Sequence, residues 1–180
     1  MRGGKILIGL GISLTIIGGV CYSGAFNKIE PLKKMNTMKI TSMKTDFAPA
    51  KELAKQYDEK QTKIQKLENY LNRYGSPLAA HADDFVNAGE AYGVDYRVLV
   101  AIAGKEQTFG AAWPGSSLNF WGYGGHRWDT ICAAIWDYTW HMSIDYPALC
   151  QGNVYAASSY AESESWESGV GYFYSELCSL

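Results

Sequence analysis

The stretch Asp95-Tyr96-Arg97-Val98-Leu99-Val100-Ala101-Ile102-Ala103-Gly104-Lys105-Glu106-Gln107-Thr108-Phe109-Gly110 decides how the chain is read. Asp95 has the short acceptor side chain of a helix N-cap, and Gly110 supplies a stop. Between them Leu99, Ile102, Ala103 and Glu106 stand at i, i+3, i+4 and i+7, so a carboxylate shares the face of the apolar stripe. An inward-facing carboxyl at a helix C-terminus is placed for general acid work, because burial and the carbonyl dipoles there both disfavour a bare negative charge. The competing role for Glu106 is local pairing with Lys105 or Arg127.

The segments on either side extend the helical pattern. Upstream, Ser76 is placed to cap a helix with Pro77 at its first position. Leu78, Ala82, Phe85, Val86 and Gly89 then fall on one side, and Gly93 ends the segment after Tyr92. Downstream, a loop from Gly110 to Arg127 is dense in Gly, Trp, Tyr and Asn. Asp129 is expected to cap a third helix bearing Ile131, Ile135, Tyr138 and Met142, with shorter helices near Asn153–Ala161 and Ser165–Leu177. No run alternates as a strand would, so the fold class is mainly α.

Before this region the chain changes character twice. Leu53, Tyr57, Lys60, Ile64, Leu67, Leu71 and Tyr74 recur at spacings of 4 and 3, which predicts a helix of about six turns. It forms either a weak self-associating coiled coil or a stalk lying on its own domain. Residues 28–47 are basic and without period, as in a linker. From Ile6 to Asn27 there is no charge for 22 residues, after Arg2 and Lys5. That length suffices to span a membrane, while Ser23-Gly24-Ala25 is the small-residue pattern of a cleavage site. The expected organisation is therefore a signal peptide or transmembrane anchor at 1–27, a basic linker and amphipathic or coiled-coil helix at 28–75, and a helical domain at 76–180. The lysines at 28–44 are what the positive-inside rule puts in the cytoplasm, but long translocated domains tolerate such charges, and an extracytoplasmic location is expected.

Composition narrows the function. Residues 1–74 carry 13 Lys and Arg against 6 Asp and Glu, whereas residues 75–180 carry 3 against 12. The acidic half is a poor partner for nucleic acid, whose affinity comes from clustered cations. Gly122-Tyr123-Gly124-Gly125 lacks the flanking strand and helix of a phosphate loop. His81, His126 and His141 lack HExxH spacing, and no serine sits in a G-x-S-x-G elbow. Neither a metal, a cofactor nor a serine nucleophile is expected. An aromatic content of 14% with 6 Trp and 13 Tyr remains to be explained.

The run Val100–Gly110, followed by Asn119-Phe120-Trp121-Gly122-Tyr123-Gly124, resembles the glucosaminidase branch of the lysozyme-like peptidoglycan hydrolases, glycoside hydrolase family 73. Tyr160-Ala161 is similar to that family's late Tyr-Ala segment. The likeness covers roughly residues 77–178, and Gln107 departs from it where Ser is usual. It implies a lysozyme-like helical domain that cleaves β-1,4 bonds between amino sugars in peptidoglycan glycan strands, with Glu106 as general acid. Lytic transglycosylases are the second resemblance, and a non-catalytic wall-binding module is the alternative of a different class. Sugar rings stack on aromatic faces, so Trp113, Phe120, Trp121, Tyr123 and Trp128 are candidates to line subsites, with about half of them expected to be packing residues instead. Tyr160 lies in the cleft on the same resemblance, and Asn119 either donates to an N-acetyl carbonyl or holds the loop's turn. For the second carboxylate that glycoside cleavage commonly uses, Asp83, Asp84, Glu90, Glu162 and Glu164 are weak candidates, and the substrate's acetamido group is another. Cys132 and Cys150 are a candidate disulfide outside the cytoplasm, with Cys178 as the rival partner.

Overall fold

The computed structural model describes residues 48–112, 115–154, 156, 160, 161 and 164–180. All belong to the second of two units into which the chain divides, Thr41–Leu180. The charge-free segment, the linker, Trp113 and Glu162 lie outside the described residues, as does the side chain of Glu164. Among the described residues no helix is long and apolar enough to cross a membrane.

The described residues are mainly helical and contain no strand. Helix α1 is Ala48–Arg73, α2 is Ala82–Tyr92, α3 is Tyr96–Gln107, α4 is Ile131–Asp145, α5 is the single turn Pro147–Cys150, and α6 is Glu164–Cys178. Short 3-10 turns stand at Pro77–His81, Thr108–Gly110 and Gly115–Ser117. Helix α3 packs against α6 and α2, and α2 in turn packs against α4 and α1.

Helix α3 is more deeply embedded than its stripe suggests. Every residue from Val98 to Gly104 is buried, so the helix is apolar on all sides and its charged residues, Arg97, Lys105 and Glu106, are confined to its ends. Each large side chain here removes enough apolar surface from water to contribute about 1.5–3 kcal/mol. Gly104 has a packing reason. A Cβ there would stand 2.5 Å from the Phe109 ring, which folds back beneath the helix. Asp95 is the N-cap, as expected: its carboxylate accepts from Arg97 N (3.0 Å), from the Arg97 guanidinium (2.7 Å) and from Tyr174 OH (2.8 Å). Burial alone would raise the Asp95 carboxyl. The bonds from Arg97 and Tyr174, with the Arg97 charge, outweigh burial and hold it below its ordinary 3.8.

Three expectations on element ends need correction. Ser76 does cap, accepting from Leu78 N at 3.0 Å, but the first turn after it is 3-10, and α2 starts only at Ala82. His81, at φ −119°, ψ 19°, leaves helical geometry there, with Nδ1 2.8 Å from Asp84 Oδ2. Thr130, not Asp129, caps α4: its extended backbone lets the hydroxyl accept from Ala133 N at 3.1 Å. Of the helix expected near Asn153–Ala161, Val154 and Ala156 are in 3-10 conformation while Asn153, Tyr160 and Ala161 are not helical, and the other positions lie outside the described residues. A turn of helix forms earlier, at Pro147–Cys150, while α6 matches its expected span closely.

Helix α1 is divided along its length. Leu67, Tyr70 and Leu71 are buried in the core, whereas Leu53 and Tyr57 are 68% and 62% exposed. Its last turns therefore lie on the domain, and its first turns leave an apolar edge uncovered. Cys150 and Cys178 both carry free thiols, so neither proposed bridge to Cys132 forms. Cys150 is buried, points its Sγ at Met142 O (3.1 Å), and is pushed up to about 12 by that burial.

Candidate active site

Glu106 is the penultimate residue of α3, where the buried helix reaches the surface, and its side chain is partly exposed. Two neighbours confine the carboxylate. The indole N–H of Trp166, on α6, donates to Oε1. On the other side the loop brings in Gly122, where an added Cβ would stand 3.2 Å from Oε2. Gly122 also has φ 63°, so it meets both conditions that call for glycine: a left-handed backbone and no room for a side chain. Lys105 runs instead along α6, over Gly169, and Arg127 donates to Ser116 Oγ at 2.9 Å.

Behind the carboxylate stands an aromatic wall. Trp166 stacks on Tyr160 with ring centroids 4.9 Å apart, and Tyr138 stacks on Trp121 at 4.2 Å. Hydroxyls join the two pairs: Tyr138 OH donates to Tyr160 OH, and Tyr160 OH donates to Trp121 O, both at 3.1 Å. Burial pushes both phenols well above their usual range, and the nearby charge of Glu106 adds to the rise in each. Both therefore keep their protons at neutral pH and act as hydrogen-bond donors.

The turn that follows Glu106 is unusual. Thr108 and Phe109 are consecutive non-glycine residues with positive φ, 50° and 56°, a conformation that costs about 1–2 kcal/mol per residue. The surroundings hold it in place. Phe109 is fully buried against Tyr74 and Phe173, at 4.4 and 4.9 Å, and its carbonyl accepts from Ser76 Oγ at 2.5 Å. Backbone strain sustained by its surroundings tends to cluster at functional sites.

The remaining expected site residues divide clearly. Phe120 and Trp121 are 0% and 1% exposed, so neither ring offers a face to a sugar. They are core residues, and the Trp121 indole donates to Leu99 O at 3.0 Å. Asn119 holds the turn: its amide donates to Tyr123 O and His126 O, and its oxygen accepts from Tyr123 N at 3.0 Å. Tyr123 and Trp128 are half-buried. The Tyr123 hydroxyl donates to Asp145 at 2.7 Å, and its phenol is pushed up to about 12 by burial and by that carboxylate. Tyr160 is half-buried and belongs to the wall just described.

Three of the weak second-carboxylate candidates are engaged elsewhere. Asp84 faces His81 and accepts from the Trp136 indole at 3.1 Å, Asp83 accepts from Asp84 N at 2.9 Å, and Glu90 pairs with Lys60 at 2.7 Å. Trp166, Tyr138 and Gly122 were not foreseen at Glu106. Trp166 and Tyr138 lie far from it in sequence, and only the partnership of α3 with α6 brings Trp166 to it. The chain matches no family model and no curated protein sequence.

Proposed function

We propose that the chain is an exported, membrane-tethered or secreted glycosidase of lysozyme-like fold. It cleaves β-1,4 bonds between amino sugars of peptidoglycan in the manner of an endo-β-N-acetylglucosaminidase. The observation that carries this reading is Glu106 itself. One carboxyl emerges from a fully buried helix at the edge of an aromatic wall, with an indole N–H on one oxygen and a bare backbone against the other. In this mechanism Glu106 protonates the departing glycosidic oxygen, and the sugar left behind takes on oxocarbenium character. The Trp166 N–H fixes the oxygen it touches, which directs the other toward substrate. The acetamido group of the substrate, or a carboxylate such as Glu162, supplies the second function. Of the loop aromatics expected to line subsites, Tyr123 and Trp128 are the two described ones that reach solvent, and they are the candidates for sugar stacking.

The test is release of label from peptidoglycan by the full chain and by Glu106→Gln. Gln keeps shape and hydrogen bonding but has no proton to give, and general acid catalysis is typically worth about 10²–10⁴-fold. A loss of that order with an unchanged circular dichroism spectrum supports the reading. Turnover above roughly a tenth of wild type, outside that range, overturns the assignment of Glu106, and inactivity of the wild-type chain overturns the enzyme reading. A product lacking one water would mark transglycosylation.

A further inference from the structure

The loop and α4 together create a second constellation on the far side of Tyr123. His126 comes from the loop, and Asp137 and His141 stand one turn apart on α4. One ligand atom from each lies within 4.8 Å of the others. All three side chains are half-buried, so they are held in place while remaining open to solvent.

We propose that His126, Asp137 and His141 bind a divalent transition-metal ion of the zinc class. Two imidazoles and a carboxylate are a donor set that zinc accepts readily, whereas magnesium and calcium prefer oxygen alone. His141 Nε2 is 3.8 Å from Asp137 Oδ2, close to the roughly 3.3–3.5 Å between neighbouring ligands of a tetrahedral ion with bonds of about 2.0–2.1 Å. Drawing in His126 requires a closure of at most about 1.5 Å, within reach of side-chain rotation on a surface loop.

The neighbours already have the arrangement that metal ligands use. Trp128 Nε1 donates to Asp137 Oδ2 at 2.8 Å, the same oxygen that faces His141, and so fixes the carboxylate while that oxygen keeps a second lone pair for an ion. Asp145 stands 4.0 Å from His141 Nδ1, the nitrogen that does not face Asp137, and is itself held by Tyr123 OH. A carboxylate behind the second nitrogen of a ligating histidine selects its tautomer and raises its basicity. On the loop side, His126 stacks on Trp128 at 5.5 Å, and its carbonyl accepts from Asn119. The site needs no partner chain and does not depend on the glycosidase reading. An ion here would clamp the loop that carries Gly122 onto α4.

Isothermal titration of the metal-stripped full chain with Zn²⁺, in mild detergent, tests this. Wild type is expected to bind one equivalent, and His126→Ala to bind at least tenfold more weakly, since even outer partners of a metal site are worth about 10–100-fold. His81→Ala is expected to bind as wild type does. No binding by the folded wild type, or unchanged binding by a folded His126→Ala, overturns the proposal. A reading that needs no variant comes from the imidazole NMR signals of wild type, which holds only 3 histidines. One equivalent of Zn²⁺ should move two sets, those of His126 and His141, and leave His81 in place. Movement of His81 alone, or of none, refutes the site.

Discussion

Replacing Gly122 with alanine separates the contact on Glu106 from the ordinary cost of a side chain on left-handed backbone, provided Gly124→Ala is made beside it. Both residues have positive φ, 63° and 52°. A non-glycine residue there costs about 1–2 kcal/mol, which for a chain of this length lowers Tm by about 2–8 °C. To this extent the two variants should be alike. They differ in what the new methyl group meets. At 124 the nearest atom is His126 Cδ2 at 3.6 Å, an ordinary contact, whereas at 122 it is Glu106 Oε2 at 3.2 Å, tighter than nine in ten real Cβ contacts. The carboxylate or the loop must retreat by a few tenths of an ångström. A misplacement of about 1 Å can cost 10²-fold in rate, so a shift of this size should cost roughly three- to tenfold. Thermal unfolding and peptidoglycan turnover of both variants provide the assay. Equal Tm losses with turnover reduced only in Gly122→Ala are expected. Equal turnover in the two variants would show that the 122 backbone does not constrain the acid.

Two further perturbations probe the supports of Glu106. Trp166→Phe keeps the stacking on Tyr160 but removes the N–H on Oε1, a bond to a chargeable group worth about 1.5–3 kcal/mol. The expected result is a lower kcat with little change in KM, and an unchanged kcat would remove Trp166 from its positioning role. Asp95→Asn leaves a competent N-cap but deletes the charge that Arg97 and Tyr174 hold. Because the folded carboxyl lies below 3.8, its stabilisation is complete above that pH and is lost as pH falls through the folded value. The variant should therefore be about 1–2 kcal/mol less stable near pH 7, a modest figure because Arg97 is 35% exposed, and the gap should close in strong acid. Denaturant melts across that range would refute this if the difference stayed constant.

Local chemistry accounts for what was readable in advance. Ser76 and Asp95 cap because a short acceptor side chain reaches amides two residues on, whatever the rest of the fold does, and α3 follows from its apolar run. Asp129 and Thr130 are adjacent and both fit the capping rule, so backbone angle rather than residue type chose between them. Aromatic side chains carry no label for burial. Trp121 and Tyr123 belong to one motif, yet the first lies in the core and the second reaches the surface, because Asn119 turns the chain between core and solvent. Trp166 was invisible for a simpler reason: its bond to Glu106 spans 60 residues and exists only through the packing of α6 on α3. Cysteine spacing likewise could not show that Cys150 stays a free thiol, buried beside Met142 O. The metal site did have a signal, the 4-residue step from Asp137 to His141 on one helix face, but His126 joins them only through the loop.

The burial of α3 on every side also determines how the two halves of the site come apart. Amides from Val98 to Gly104 have no route to solvent short of opening the whole unit, whereas the loop around Gly122, Gly124 and Gly125 presents exposed backbone and can open alone. Glu106 thus extends from a helix whose amides should exchange among the slowest of the described residues, and it faces a loop whose amides should exchange among the quickest. On the proposed reading, fluctuations of the loop would admit substrate while the global fold holds Glu106 in place.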